Sequence, residues 1–567
     1  MPFSIFKSFT IGTFLITLSA SSAAFSPSSN LQVQAQRLNL KLAYRKHGHS
    51  KIDNNHIVPD PLSTTNHITA PSEVEANEFD WFKAWYPVFP VDVLDAEKPT
   101  PLELLGMKLV VYNDGAVVTR GGNPVGFGSK LSRPKDARRE EGTWRAFADA
   151  CPHRKASLSE GRVEDDGTLL CSYHGWRWEG DGNLTAVPVA SKNELQRIID
   201  NPKSSCNAFP TKVRGGLLYV WPASGSDARI ESELTPLPKA FDPEALGVDK
   251  DRVVNSPYSF RRAPVSWDFF LENLMDPAHV QQAHHGTVGD RYDEATPYDT
   301  VVTKKPTKNG FEMNICFEGV LPYTDKFEAP GVFSINTSLA DDGAAHVIQV
   351  FVTPASPGWS NVIIRQTVIK TKEGKVPSTN NKRRDGQMNG ILKLKMLPAF
   401  MVNYATNRFF NEDLIHIHSQ EHHMAASMEY SLAKTKGENP DRYADAILPT
   451  SADKPVITFR KWIKDFSKGR IPYKGNIALN PVDRTAVFDV YHQSTVYSTK
   501  TMGALKNADK VRSLASGAAV VMCIWQPVCL GKLGTGALVG LFGAAALLAH
   551  KIAGMLTYME HVTAEDD

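Results

Sequence analysis

Two short cysteine–histidine pairs are the residues of this chain best suited to binding metal. One residue separates Cys151 from His153, two separate Cys171 from His174, and 17 residues lie between the pairs. Each pair therefore has the spacing of two ligands on one tight loop. Four such ligands can hold a single tetrahedral zinc ion. They can also hold a [2Fe–2S] cluster in which two thiolates bind one iron and two imidazoles bind the other.

The residues around these pairs distinguish the two kinds of site. The loops read CPHRKASLSEG (151–161) and CSYHGWRWEGDG (171–182). Gly175 can adopt turn conformations that other residues avoid, and Tyr173 can donate a hydrogen bond toward a cluster sulfur. Both loops closely resemble the paired loops of Rieske proteins. The resemblance implies a Rieske [2Fe–2S] cluster bound by Cys151, His153, Cys171 and His174.

A second group of possible metal ligands lies in residues 266–286, SWDFFLENLMDPAHVQQAHHG. Asp276 and His279 are three residues apart, so on a helix they would share a face. His284 is five residues beyond His279, about 140° further round an ideal helix. If both histidines bind one metal, the helix must end or distort near His284, and Gly286 is consistent with an ending.

Two histidines and one carboxylate make the facial triad of non-haem Fe(II) oxygenases. We predict that Asp413, in NEDLIHIHSQE (411–421), supplies the carboxylate, with Glu412 as its alternative. His285 is the alternative to His284. Asp276 is then available to orient a cluster histidine and to carry an electron between metals. The same stretch contains further histidines that we predict to be partly exposed or to lie behind the ligands: His416, His418, His422 and His423.

The combination of both sites resembles the catalytic subunits of Rieske oxygenases. The WYPV opening (85–88), the block at 272–286 and the apolar tail are most similar to the pheophorbide a oxygenase group, over about residues 80–560. The resemblance implies mononuclear non-haem Fe(II) at His279, His284 and Asp413, with electron relay through Asp276. It also implies a ferredoxin electron donor, a homotrimer, and oxygenation by O2 of a lipophilic pigment, most simply a chlorophyll-derived tetrapyrrole.

The predicted fold class is α+β. A β-rich Rieske domain (78–225) precedes a helix-grip, START-like catalytic domain (226–500), in which an antiparallel sheet is flanked by helices. Apolar runs at 346–352 and 361–364 predict strands, whereas the polar segment 371–390 predicts a loop.

The C-terminal region predicts a transmembrane helical hairpin over 512–556. Nineteen residues without charge separate Arg512 from Lys532, and 17 more separate Lys532 from His550. Each stretch approaches the roughly 20 residues that cross a bilayer. Basic flanking residues remain on the untranslocated face, which places the catalytic domains on the stromal side of a plastid membrane. The alternative is a buried core hairpin.

The first residues predict targeting to a plastid. A short apolar run and small residues indicate a signal peptide (1–24), and a basic stretch without Asp or Glu indicates a transit peptide (25–52). Residues 53–77 are predicted to be a linker. The alternative is secretion with a basic pro-segment.

Composition narrows the remaining function classes. The formal net charge of +2 gives no indication of nucleic-acid binding, and the six scattered cysteines do not form a disulfide framework. Two alternatives to an oxygenase remain: a non-catalytic Rieske electron carrier or redox sensor of a plastid envelope complex, and a zinc-stabilised binding module. Substrate-dependent O2 uptake separates the oxygenase from the carrier.

Overall fold

The computed structural model describes residues 78–118, 138–238, 247–292, 296–317, 320–376, 378, 382–394, 397–434, 446–475, 478–479, 481–525 and 531–559. The predicted signal peptide, transit peptide and linker lie outside the described residues. All described residues belong to one compact unit, Pro71–Asp567.

Short antiparallel strands build the first part of the chain, as its alternating apolar runs predict. They are β1 Tyr86–Pro90, β2 Thr100–Leu104, β3 Met107–Asn113, β4 Val117–Val118, β5 Arg138–Arg139, β6 Trp144–Ala148, β7 Arg162–Val163, β8 Leu169–Leu170, β9 Arg177–Trp178, β10 Leu184–Ala186, β11 Ala208–Phe209, β12 Thr211–Arg214 and β13 Leu217–Val220. They form sheets of order β11-β6-β3-β2, β10-β9-β8-β7, β1-β13-β12 and β4-β5. Two helices follow later strands of this part, α1 Lys192–Ile199 and α2 Ser226–Leu234.

One large antiparallel sheet forms the second part. Its strands are β14 Val253–Asn255, β15 Ser259–Ala263, β16 Tyr298–Thr307, β17 Gly310–Phe317, β18 Val320–Glu328, β19 Val332–Ser338, β20 Ala345–Ser356 and β21 Trp359–Ile369. The order is β14-β21-β20-β19-β18-β17-β16, and β15 also pairs with β21. The two strands predicted from apolar runs lie within β20 and β21, which pair with Val350 opposite Ile364.

Helices pack against this sheet and connect its strands to the C-terminal region. They are α3 Trp267–Met275, α4 Pro277–Ala283, α5 Lys382–Leu394, α6 Ala399–Lys434, α7 Lys454–Phe466, α8 Arg484–Val487 and α9 Val490–Gln493. The loop predicted over 371–390 is wrong in its second half, because α5 begins at Lys382. Met388 and Ile391 of α5 are buried in a cluster with Val368 of β21. This tertiary contact stabilises a helix in a segment whose composition is polar.

A single core joins the two parts. Trp85 on the way into β1 and Trp221 after β13 belong to the same buried cluster as Trp267, Phe327 and Trp462. The aromatic residues Trp81, Trp85, Tyr86 and Phe89 at the start of the first part therefore belong to this core. A separate, smaller core lies beneath the cysteine loops. The domain boundary between residues 225 and 226 stays a prediction.

Two long helices end the described chain, α10 Thr499–Trp525 and α11 Gly531–Met555. Within the described residues, one stretch is long and apolar enough to cross a bilayer, Gly534–Met555. The first predicted span begins after Arg512 and continues beyond Trp525, where α10 ends, so part of it lies outside the described residues. The transmembrane hairpin therefore stays a prediction.

Candidate metal centres

The two cysteine loops are built on the same backbone pattern. Cys151 N–H donates to Ala156 O and Cys151 O accepts from Lys155 N–H; Cys171 makes the corresponding bonds with Trp176 and Gly175. The fourth residue after each cysteine has a positive φ, 64° at Lys155 and 72° at Gly175. Each loop thus turns back over its own cysteine, which brings the following histidine to the same side.

Within these loops the cysteines are buried and the histidines lie nearer the surface. Cys151 and Cys171 are 2% and 1% exposed, and the ring centroids of His153 and His174 are 4.7 Å apart. Burial raises the pKa of the Cys151 thiol, and the adjacent Cys171 adds to the effect. A bound cationic centre would reverse this preference and stabilise both thiolates.

The ligand spacing separates a cluster from a single ion. Ligand atoms on one tetrahedral zinc lie about 3.3–3.8 Å apart, from metal–ligand distances near 2.0–2.3 Å. Among the described residues, no three of the four loop ligands have ligand atoms all within 4.8 Å of one another. The four ligands therefore fit a two-iron cluster rather than one zinc. Tyr173 is 64% exposed and lies against the ring of His174, and its predicted bond to a cluster sulfur stays a prediction.

The second site begins at a break between two helices. Pro277 disfavours helical geometry at the preceding residue, so α3 ends at Met275 and α4 begins at Pro277. Asp276 caps α4 by accepting a hydrogen bond from Ala278 N–H at 2.9 Å. Asp276 has extended backbone before the first turn, and its side chain still lies near that of His279, with 3.9 Å between Oδ2 and Nδ1.

The end of α4 positions the second histidine. His284 follows the last helical residue, as the spacing required, and its carbonyl accepts from Thr287, Val288 and Gly289 N–H. A Cβ on Gly289 would stand 2.1 Å from Val280 O. The chain can fold back on α4 this closely only because residue 289 is glycine.

Three ligand atoms converge where α4 meets the middle of α6. Oδ1 of Asp413 lies 3.2 Å from Nε2 of His284 and 3.8 Å from Nε2 of His279. These three residues are the one set among the described residues whose ligand atoms all lie within 4.8 Å. Oδ1 is also buried and has no hydrogen-bond partner among the described residues. Neighbouring corners of a ligand octahedron are about 3 Å apart for bonds near 2.1 Å, so the geometry fits a facial triad.

The other polar side-chain atoms of these three residues are held by hydrogen bonds to neighbouring groups. Nδ1 of His279 lies 2.6 Å from Asp276 O, and Nδ1 of His284 lies 2.7 Å from Oε2 of Glu412. Each contact favours a proton on Nδ1, which leaves the Nε2 lone pair for a metal. Asn273 Nδ2 donates to Oδ2 of Asp413 at 3.1 Å, which directs Oδ1 at the histidines.

The electrostatics of the site favour positive charge. Burial opposes a charge on His284, but Asp413 and Glu412 outweigh it and raise the pKa of His284 to about 9. Burial would raise the pKa of Asp413, yet His279 and His284 hold it below its usual value. A cation bound between these side chains would supply the positive charge that a proton otherwise provides.

The geometry distinguishes the alternatives that the sequence left open. Glu412 bonds Nδ1 of His284 and Thr287 Oγ1, so its oxygen faces away from the convergent atoms. His285 accepts from Arg291 N–H and contacts the ring of Tyr292. The three side chains that the structure brings together are therefore His279, His284 and Asp413, and Glu412 lies behind His284.

The additional histidines of α6 lie away from this centre. His418 is buried between the carbonyls of Pro264 and Val482, and His422 packs against it with ring centroids 4.5 Å apart. Among the described residues, no hydrogen bond of Asp276 reaches a cluster histidine.

Sequence reasoning missed three residues that support the iron ligands: Asn273, Thr287 and Phe409. Phe409 stacks on His284 at 4.1 Å between ring centroids. Their positions in the sequence do not indicate this role, because each contacts a residue from another segment of the chain: Asn273 contacts Asp413, Thr287 contacts Glu412, and Phe409 contacts His284. The one indication in the sequence is that Asn273, a polar residue, lies shortly before the predicted ligand His279.

Two parts of this chain match known protein families. Residues 84–199 match the Rieske [2Fe-2S] domain family and residues 327–429 match the pheophorbide a oxygenase family. The chain is 30% identical to chloroplastic pheophorbide a oxygenase of Arabidopsis thaliana over 471 residues, 79% of this chain and 77% of that protein. The rice protein of that name (Oryza sativa subsp. japonica) is 28% identical, over 82% and 81% of the two chains.

A relative with a different substrate in its name is nearly as similar. Flavonoid 8-hydroxylase 2, chloroplastic, of Ocimum basilicum is 25% identical over 76% of this chain and 75% of its own.

The cofactors that the two centres fit are a Rieske [2Fe–2S] cluster and mononuclear non-haem iron. With its two paired loops and its second convergent ligand set, the chain belongs to the pheophorbide a oxygenase family of Rieske oxygenases.

Proposed function

We propose that this protein is a plastid oxygenase that inserts oxygen from O2 into a chlorophyll-derived tetrapyrrole, with ferredoxin as its electron donor. The observation that carries the proposal is the convergence of His279, His284 and an unpartnered Oδ1 of Asp413 in a chain that also buries two loop cysteines. The names of the most similar relatives support the pigment substrate and the plastid.

The ligands have separate roles in this proposal. Cys151, Cys171, His153 and His174 would hold the cluster, and His279, His284 and Asp413 would hold Fe(II). When bound, the two groups supply single electrons and O2 activation.

The chain itself holds the ligand protons and limits water. Asp276 O and Glu412 retain the Nδ1 protons of the two histidines, while Asn273 orients Asp413. Phe409 covers one face of His284 and keeps solvent from it.

We further propose that electrons reach the iron through Asp276 from the cluster of a neighbouring subunit, within a homotrimer. His153 is exposed and the Asp276 side chain is one-third exposed, so both can contact another subunit. Light scattering of the detergent-solubilised protein tests the assembly: a monomer that turns over at full rate would contradict this relay.

The C-terminal helices fit a membrane anchor. Large apolar side chains are exposed along α10 and α11, among them Ile524, Trp525, Leu541 and Leu547. We propose that these helices form a hairpin in a plastid membrane with the metal centres on the stromal side. We also propose the helix-grip assignment for the second sheet, with domains at 78–225 and 226–500.

Incubation with pigments tests the function. The purified protein, reduced ferredoxin and ¹⁸O2 are combined with pheophorbide, chlorophyllide and related tetrapyrroles, and products are analysed by mass. Incorporation of one or two labelled oxygen atoms supports the proposal. O2 uptake that no tetrapyrrole stimulates contradicts it.

A second candidate substrate is a flavonoid, favoured by the 25% identity to a flavonoid hydroxylase. The same labelled-oxygen assay with flavones distinguishes the two classes, because only the true substrate accelerates O2 uptake.

A further inference from the structure

A carboxyl group lies buried in the middle of the large sheet without a partner. Asp325 of β18 is 2% exposed, and its Oδ1 has no hydrogen-bond partner among the described residues. Its neighbours across the sheet are apolar, Met313 on β17 and Ile335 on β19. A buried polar atom without a hydrogen bond destabilises the fold, so folding stability does not explain why an aspartate occupies this position.

The face that carries Asp325 is turned toward the helices. Successive side chains of a strand alternate between faces, so Asp325 and Phe327 lie on the same one. The ring of Phe327 contacts Trp267 of α3 at 6.2 Å and Trp462 of α7 at 5.0 Å between centroids. Helix α3 leads directly into the break at Asp276, so Asp325 lies on the face of the sheet that looks toward the helices of the iron site.

A row of aromatic rings extends from the other side of Asp325 toward the iron ligands. Tyr323 lies two residues before it on the same strand, and its ring is 6.5 Å from that of Phe317. The Phe317 ring is 4.6 Å from that of Tyr298, whose hydroxyl donates to Pro277 O in the helix of His279. Asp325 therefore lies between a packed sheet–helix core and the α4 side of the iron site.

The environment of this carboxyl favours its neutral form, which is a hydrogen-bond donor. Burial raises the pKa of Asp325 well above its usual value, and no charged group near it counteracts the effect. A protonated carboxyl presents one O–H donor. An unused donor on an apolar surface can bind a carbonyl oxygen of a ligand much more strongly than it could in water.

A second polar group on the same face is also unused. Thr300 of β16 is 1% exposed, and its Oγ1 has no partner among the described residues. It lies opposite Ile315 of β17, which in turn faces Tyr323 of β18, so one strand separates Thr300 from the strand of Asp325. From strand spacing and rise the two polar groups are about 12 Å apart, a separation within the width of a large flat ring system.

We propose that Asp325 is a substrate-binding residue that donates a hydrogen bond to a carbonyl oxygen of the pigment and so fixes which edge of the ring system faces the iron. Thr300 supplies a second contact to the same face of the substrate. This inference rests on the proposed pigment substrate and names the chemical group that is recognised.

Three variants and two ligands test the proposal. Asp325→Leu removes the donor, Asp325→Asn retains one, and Thr324→Ala is the matched control, because Thr324 lies on the opposite face and bonds Asn314. Binding to the iron-loaded full chain is measured by quenching of tryptophan fluorescence, with a keto pigment and with the same pigment in which the carbonyl is replaced by methylene.

The wild type and Thr324→Ala should bind the keto pigment about tenfold more tightly than its methylene analogue, the loss expected for one buried hydrogen bond. Asp325→Asn should discriminate within about threefold of wild type, and Asp325→Leu should not discriminate at all. The leucine variant should also unfold at a temperature at least ~2 °C higher, since it no longer buries an unsatisfied carboxyl.

Two results would overturn the proposal. Discrimination by Asp325→Leu equal to that of the wild type would show that the carbonyl is recognised elsewhere. A leucine variant that unfolds earlier, with unchanged pigment affinity, would show that Asp325 is structural. Failure of the wild type to bind either pigment is a different outcome, because it contradicts the proposed function itself.

Discussion

Asp413 is the residue on which the mononuclear site depends. Its Oδ2 is held by Asn273, while its buried Oδ1 has no hydrogen-bond partner within the described part of the chain and faces two histidine nitrogens. A buried carboxylate oxygen of this kind destabilises the fold unless a cation is bound beside it. We therefore infer that this site binds a cation. The charges of the neighbouring residues lead to the same conclusion, since they raise the pKa of His284 and lower that of Asp413.

Replacing Asp413 by Asn should remove this iron and leave the cluster. The amide keeps the size of the side chain but not its charge. Total iron should fall from about three to about two atoms per chain, while the electron paramagnetic resonance signal of the cluster is retained. Metal analysis of the anaerobically loaded protein measures this. Full iron content in the variant would show that Asp413 is not a ligand.

Glu412 should act on affinity rather than on ligand number. Its Oε2 holds Nδ1 of His284, so Glu412→Gln keeps all three ligands but weakens the orientation of one. Loss of such a contact costs about 10–100-fold in metal affinity. The matched control is His285→Ala, which should bind iron like the wild type because His285 contacts Arg291 instead. Weaker iron binding by His285→Ala than by Glu412→Gln would contradict both assignments.

At the scale of elements, the break between α3 and α4 places the ligands. Pro277 ends one helix and starts the next, and Asp276 caps the second through Ala278 N–H. The backbone carbonyl of Asp276 also holds His279. A single turn of chain therefore positions a ligand through its main chain and caps α4 with Oδ1 of Asp276, which leaves Oδ2 for another role.

Two substitutions at Asp276 separate these roles. Asn is a good N-cap, so Asp276→Asn should retain stability and iron but slow electron transfer in single-turnover experiments. Asp276→Ala should show the same slow transfer and also lose about 1 kcal/mol of unfolding free energy with the cap. Stopped-flow reduction and thermal unfolding provide the two readouts. Fast transfer in the Asn variant would rule out the relay.

At the scale of the whole molecule, the C-terminal helices are joined to the helix that carries Asp413. Asn411 of α6 donates to Met559 O, and Thr495 donates to Leu556 O. Arg261 of β15, buried without a carboxylate partner among the described residues, bonds both Gln493 and Asn407 O. The end of α11 is therefore part of the support of the iron site as well as the base of the apolar helices.

Deletion of residues 499–567 should consequently do more than release the protein from membranes. Because the contact from Asn411 is lost next to Glu412, the truncated chain should unfold earlier and bind less iron. Replacing Leu541 and Leu547 by Ser, both exposed, should weaken flotation with liposomes and leave iron content unchanged. Equal iron in the truncated and full chains would show that the tail is an anchor only.

Residue types and spacing, together with the resemblance to Rieske oxygenases, predicted two metal sites and the chemistry that such sites support. The cysteine and histidine pairs are local, because each loop brings its own two ligands together through a few backbone hydrogen bonds. The end of α4 at His284 and the strands β20 and β21 also follow from short-range pattern. Local geometry can be predicted from a sequence because it depends on residues only a few positions apart.

Only the tertiary structure showed which of two adjacent side chains faces the other proposed ligands and which lies behind them. Glu412 and Asp413 differ by one position on a helix, so their side chains point about 100° apart, and only the location of α4 selects between them. The same holds for His284 and His285, for the helix at Lys382–Leu394 that packs on Val368, and for Asp325, whose neighbours come from other strands. Each depends on contacts between segments far apart in the chain, and no spacing within one segment encodes where a distant one will lie.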